Sequence, residues 1–113
     1  MPNFATGESG LARPLTPNEY TEPCDPVLTC TVFCDYFNVN MPVLRQTYSV
    51  KNTRFHGWYR PKEQVIAYSH NYLGLILHEL AHHVVYRKVK EVRGRYHHAE
   101  FWAVLQKMIY MSV

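Results

Sequence analysis

This sequence lacks the features that mark membrane and secreted proteins. None of its apolar runs reaches the roughly 18 residues of a membrane span, and its N-terminus lacks the basic-then-apolar pattern of a signal peptide. Cysteine is also scarce, since the chain has only Cys24, Cys30 and Cys34. An odd count without a secretion signal indicates free thiols in a reducing compartment. These absences predict an intracellular, cytoplasmic protein without a membrane partner.

A strong excess of one charge is missing as well. The 113 residues include 12 Lys or Arg and 9 Asp or Glu, which gives a formal net charge of +3. So small an excess does not by itself predict a nucleic-acid partner. A basic run from Arg87 to Arg95 is most often a solvated face, but it leaves binding to nucleic acid or to an acidic substrate open as an alternative.

The length of the chain allows one small domain. A sequence of 113 residues with 47% hydrophobic residues can bury a single core and has no room for a second catalytic domain. Residues 1–23 contain four prolines, two glycines and no regular apolar period, which predicts an irregular leader. Residues 24–113 are predicted to form the folded domain.

Apolar spacing predicts an α+β fold for that domain. Asp25 followed by Pro26 is a helix-start signal, and Asn38 lies where the helical spacing ends. Segments rich in Val, Tyr, Thr, Phe and Trp then predict a mostly antiparallel, three-stranded sheet at about residues 43–50, 53–60 and 64–68. The last of these strands is expected at the edge of the sheet, along a cleft beside the helix that follows it. Two further helices are predicted at about residues 72–89 and 98–110.

The first of these two helices carries an HExxH pattern at residues 78–82. Residues four apart on a helix are rotated by roughly 40° and lie about 6 Å apart, so the imidazoles of His78 and His82 point the same way. Two neutral imidazoles in this arrangement can both bind one Zn²⁺ at about 2.0–2.1 Å. The alternative reading, two core histidines, is disfavoured because a helix gains nothing from burying imidazoles without partners.

Glu79 follows the first histidine and is therefore placed beside the metal rather than on it. A carboxylate in this position can take a proton from the water that zinc activates, and the alternative role is that of a salt-bridge partner. A catalytic zinc usually keeps three protein ligands and one open position, so a third ligand is expected. The candidates that follow the helix are His97, His98 and Glu100.

The pattern at residues 78–82, together with His97 four residues before Phe101 and Trp102, resembles the SprT-like and WLM-type zinc metallopeptidases, which are minigluzincin-like. The Gly-containing segment at residues 54–68 also resembles the hairpin that precedes the metal helix in that family. The likeness covers about residues 53–106, half of the chain. The zinc ribbon of the longer family members is absent.

The resemblance implies a small zincin-like domain. By position it makes His78, His82 and His97 the Zn²⁺ ligands and Glu79 the general base of a zinc metalloendopeptidase that acts on a protein or peptide substrate. Two hypotheses that assign the protein to other functional classes stay open. One is a DNA-associated protein, either a crosslink protease or a nucleic-acid-binding module, and the other is an inactive interaction domain stapled by zinc.

Several nearby residues have roles that the sequence leaves open. Candidate donors to a developing oxyanion are Tyr86, Tyr96 and His56, and each has a packing role as its alternative. His83 is rotated by about 140° from His78, so it is expected to point away from the metal as a surface or ligand-supporting histidine.

Overall fold

The fold consists of three helices and three short strands. A computed structural model describes residues 21–47, 57–88 and 99–112. The elements in chain order are α1 (Pro26–Phe37), β1 (Val43–Gln46), β2 (Gly57–Arg60), β3 (Val65–Tyr68), α2 (Leu73–Lys88) and α3 (Ala99–Met111). The predicted α+β class is confirmed. Within the described ranges, no helix combines the length and the apolar character needed to cross a membrane.

The first helix, α1, begins and ends where the sequence predicts. The Asp25 carboxylate accepts hydrogen bonds from the backbone N–H groups of Val27 and Leu28, at 3.0 and 3.2 Å. Pro26 occupies the first helical position, where its missing N–H costs nothing. Asn38 then ends the helix in the left-handed conformation, with φ at 58°, which Asn tolerates better than most residues.

The sheet is mixed rather than mostly antiparallel. Its strand order is β1-β3-β2, with β3 parallel to β1 and antiparallel to β2. The turn at residues 61–64 joins β2 to β3 as the predicted hairpin. β2, which lies between β1 and β3 in sequence, runs opposite to both, so β1 and β3 point the same way. The remaining parts of the predicted strands, residues 48–50 and 53–56, lie outside the described residues.

The prediction that the last strand forms a sheet edge is wrong. All four residues of β3 are buried, and the strand is central. The reason is visible in its composition, because an uninterrupted apolar strand covered on both faces suits the middle of a sheet. Within the described residues, β1 and β2 are the edge strands.

The second helix, α2, is the element against which the rest packs. It contacts α1, α3, β2 and β3. Its first N–H, on Leu73, donates to the carbonyl of Glu22 at 2.7 Å, and Cys24 N–H donates to the carbonyl of Asn71 at 2.9 Å. These bonds fix residues 22–24 to the start of α2 and satisfy one of its exposed donors.

The three cysteines are free thiols, and two of them belong to the core. Burial raises the pKa of Cys30 to about 12 and that of Cys34 to about 11. Burial is also the main reason for the raised pKa of Cys24. Since the thiolate is the reactive form, Cys30 and Cys34 act as small packing residues.

A buried histidine joins α2 to the sheet. His83 is fully buried rather than at the surface, with Nε2 2.7 Å from the carbonyl oxygen of Asn40 and Nδ1 2.7 Å from the hydroxyl of Tyr59. Burial lowers the pKa of His83, which keeps the ring neutral. Since a carbonyl oxygen only accepts, Nε2 carries the proton and the Tyr59 hydroxyl donates to Nδ1. This side chain therefore ties α2 to β2 and to the segment before β1.

Replacing Tyr59 by Phe tests this connection. The Tyr59→Phe change removes the donor to Nδ1 of a buried imidazole, so the free energy of unfolding should fall by about 1–3 kcal/mol. Urea denaturation followed by circular dichroism measures the loss. The matched control is Tyr36→Phe on the exposed side of α1, which should change stability by less than about 0.5 kcal/mol. Equal stability of the two variants would contradict the role assigned to this bond.

Candidate functional site

His78 and His82 lie on successive turns of α2 with their rings side by side. The ring centres are 5.2 Å apart and the ring planes are inclined at 73°. Two imidazoles that bind one tetrahedral Zn²⁺ at about 2.0–2.1 Å would have ring centres about 5 Å apart. The observed separation therefore fits a shared metal ion. Both side chains are half-buried, so the site is reachable from solvent.

Phe101, in the first turn of α3, packs against both imidazoles. Its ring centre lies 4.4 Å from that of His82, in a stacked arrangement, and 5.1 Å from that of His78. The Phe101 ring is fully buried, so it cannot move aside easily. It restricts both imidazoles to positions close to each other. In the sequence Phe101 was singled out only as part of the family resemblance, and its contact with the two imidazoles was not predicted.

Glu79 is buried beside the two histidines and is 6% exposed. Among the residues that the structure describes, none forms a hydrogen bond or an ion pair with its carboxyl group. Burial alone raises the pKa of Glu79 to about 7. A buried carboxyl group without a partner is costly, and a cation held by the neighbouring histidines would offset that cost by favouring the carboxylate. The donor set therefore fits a divalent cation.

Gly57 allows β2 to approach this carboxyl side chain closely. A Cβ atom at residue 57 would lie 3.2 Å from Glu79 Cγ, 3.2 Å from the Ala67 carbonyl oxygen and 2.9 Å from Leu75 Cδ1. A residue without a side chain is needed for that approach. The strand beside the site is therefore β2, whereas the sequence had suggested β3. Gly57 was the sequence signal for this contact, because a Gly inside a strand often marks a place where another part of the protein approaches the backbone closely.

Four residues with predicted or candidate roles lie outside the described part of the chain: His56, Tyr96, His97 and His98. The predicted third ligand is among them. In residues 21–47, 57–88 and 99–112, no group of three or more His, Cys, Asp or Glu is arranged to hold a metal ion. The structure thus brings together two of the three predicted ligands, and the predicted base follows the first of them on the same helix.

Tyr86 and Glu100, the remaining candidates, lie in the described part of the chain, and their surroundings favour other roles. The ring of Tyr86 lies 6.3 Å from that of Tyr59, on the side of α2 that carries His83, which supports a packing role. Glu100 is exposed in the first turn of α3, where a carboxylate interacts favourably with the helix dipole.

Comparisons with protein-family models, with curated proteins and with solved structures find no match. The likeness to SprT-like metallopeptidases therefore rests on the motif residues and their spacing alone.

Adding a side chain at residue 57 tests the contact between β2 and α2. The Gly57→Ala change should lower the free energy of unfolding by about 1–3 kcal/mol, because the new methyl group overpacks the space beside Leu75 and Glu79. Thermal or urea unfolding measures this loss. A Gly57→Ala, Leu75→Val double variant removes the nearest obstructing atom and should recover part of it. A fully stable single variant would show that β2 does not press against α2 at this point.

Proposed function

We propose that this protein is a zinc-dependent metallopeptidase with a zincin-like domain. The observation that carries the proposal is the arrangement on α2, where two half-buried imidazoles 5.2 Å apart lie beside a buried carboxyl group without a hydrogen-bond partner among the described residues. The carboxyl group of Glu79 contrasts with His83, another buried polar side chain on α2, because both ring nitrogens of His83 have partners in the fold. Perturbed groups in such a position are typical of functional sites.

The proposed ligands are His78, His82 and His97. Support for a ligand just before α3 comes from Phe101, whose ring touches both imidazoles from the first turn of that helix. Residue 97 is four residues before Phe101, and four residues span at most about 14 Å, so the chain length allows a side chain at residue 97 to reach the pair. His98 and Glu100 are the alternatives. Three protein ligands would leave the fourth position open, as in catalytic rather than structural zinc sites.

Bound zinc supplies a Lewis acid, which makes water nucleophilic near neutral pH and polarises the scissile carbonyl. Glu79 takes a proton from the attacking water through a carboxylate oxygen. The water oxygen forms a bond to the carbonyl carbon, and the bond from that carbon to the amide nitrogen breaks. Glu79 then gives its proton to the leaving nitrogen, so the carboxylate is regenerated. Burial favours this role, because it removes the bulk water that would otherwise compete for the proton.

The substrate is proposed to lie along β2 in an extended conformation. Within the described residues, β2 pairs on one side only, so its other side offers backbone groups to an added strand. Gly57 at the start of β2 lies close to Glu79, which supports a scissile bond near this end of the strand. The basic run behind the nucleic-acid hypothesis lies mostly outside the described residues, so that hypothesis stays a prediction from sequence.

Replacing Glu79 by Gln tests the proposed base. The amide keeps the shape of the side chain but cannot accept the proton, so hydrolysis of an unfolded protein should fall by at least about 10²-fold. Zinc content, measured by elemental analysis, should be unchanged. The matched control is Asp35→Asn, an exposed acid on α1, which should keep full activity. A fully active Glu79→Gln enzyme would remove Glu79 from the mechanism, and an inactive wild-type protein that holds zinc would favour the interaction-domain alternative.

Metal analysis of single histidine variants tests the ligand set. His82→Ala and His97→Ala should each lose zinc on dialysis and lose the rise in melting temperature that added zinc gives the wild type, because metal binding stabilises only the folded state. His98→Ala should keep its zinc on dialysis and should keep the rise in melting temperature with added zinc. Zinc loss in His98→Ala with retention in His97→Ala would move the third ligand by one residue.

A further inference from the structure

The outer face of β2 carries two exposed side chains that the proposed reaction does not use. Gly57 and Tyr59 face α2, where they meet Glu79 and His83. Because side chains alternate along a strand, Trp58 and Arg60 lie on the other face. Both are exposed, Trp58 by 37%.

The Arg60 side chain is held in place before any ligand arrives. Its guanidinium carbon lies 4.5 Å from the centre of the Trp58 ring, which is a cation–π contact. No carboxylate in the described ranges forms an ion pair with Arg60. A guanidinium that is already ordered loses little freedom on binding, and its fork of donors matches a carboxylate.

The charge near this end of β2 is mostly positive. Arg60 and Lys62 belong to β2 and the following turn. Glu63 is the acidic residue of that turn. By contrast, residues 21–40 contain three acidic residues and no Lys or Arg. A ligand that lies along β2 therefore meets a surface complementary to negative charge.

We propose that the preferred peptide substrates carry Asp or Glu about three residues from the scissile bond, bound by Arg60. This inference rests on the proposed peptidase function, with the substrate added to the edge of β2. An added strand lies about 4.7–4.9 Å from β2, and residues directly opposite have Cβ atoms about 4.5–5.5 Å apart. Gly57 begins the four-residue strand beside Glu79 and Arg60 ends it. The substrate residue opposite Arg60 therefore lies about three positions from the one opposite Gly57.

Binding and cleavage of matched peptides test this assignment. The peptides differ in one residue, Glu, Gln or Lys, placed three positions from the cleaved bond, in one set on its N-terminal side and in another on its C-terminal side. Equilibrium binding is measured with zinc-loaded Glu79→Gln protein through Trp58 fluorescence, since the other tryptophan, Trp102, is buried. In one of the two sets the Glu peptide should bind about tenfold more tightly than the Gln peptide, and the Lys peptide more weakly still.

A charge reversal provides the decisive comparison. Arg60→Glu, in the Glu79→Gln background, should reverse the order so that the Lys peptide binds best. Arg45→Glu places the same charge change on β1, at the opposite edge of the sheet, and should keep the original order. In the wild type, kcat/KM should follow the same preference.

The outcomes separate this inference from the function on which it rests. Cleavage by the wild type with equal affinity for all peptides, or with an order that Arg60→Glu leaves unchanged, would overturn the Arg60 assignment and keep the peptidase. Binding with the expected reversal but without cleavage by the wild type would overturn the peptidase and keep the recognition of acidic peptides. The absence of peptide binding would overturn the inference.

Discussion

The position of α2 between β2 and α3 is the constraint on which this structure depends. One side of the helix meets β2 at Gly57, and a neighbouring side meets Phe101 of α3. On a helix, Glu79 is rotated by about 100° from His78 and about 60° from His82, so it lies at the boundary between these two contacts. A shift of either partner would therefore move the carboxyl group relative to the imidazoles. The spacing of the motif provides the three groups, and the two contacts hold them in place.

Two buried polar side chains on the same helix are accommodated in different ways. His83 is neutral, and both of its ring nitrogens have partners, so its burial costs little and adds a specific link between three parts of the chain. Glu79 has no hydrogen-bond partner among the described residues, and its raised pKa measures the cost of burying it. Proteins tolerate such a cost mainly where function requires it. The surroundings, more than the residue types, separate the structural histidine from the acid proposed as the base.

The parts of this fold that could be predicted are those that depend on neighbours in sequence. Asp25 and Asn38 bound α1 through contacts within a few residues, and apolar spacing with the HExxH pattern locates α2. Periodicity alone did not predict the central place of β3, because strand order depends on pairing between distant segments. The uninterrupted apolar run of the strand was the local sign of that place. The hydrogen-bond partners of His83 could not be predicted for the same reason, since Tyr59 lies 24 residues away in sequence and Asn40 lies 43 residues away. The helical rotation gave the direction of that side chain but not what it meets.

The two faces of β2 are constrained to different degrees. Gly57 and Tyr59 point towards α2, where a change of size or polarity disturbs Glu79 or His83. Trp58 and Arg60 point to the other face, and neither belongs to the buried core. A substitution there leaves the packing around α2 intact. In the proposed peptidase, side chains alternate between the two faces of β2, which separates the residues that position the catalytic groups from those that contact substrate. Substrate preference can therefore change without loss of the catalytic geometry.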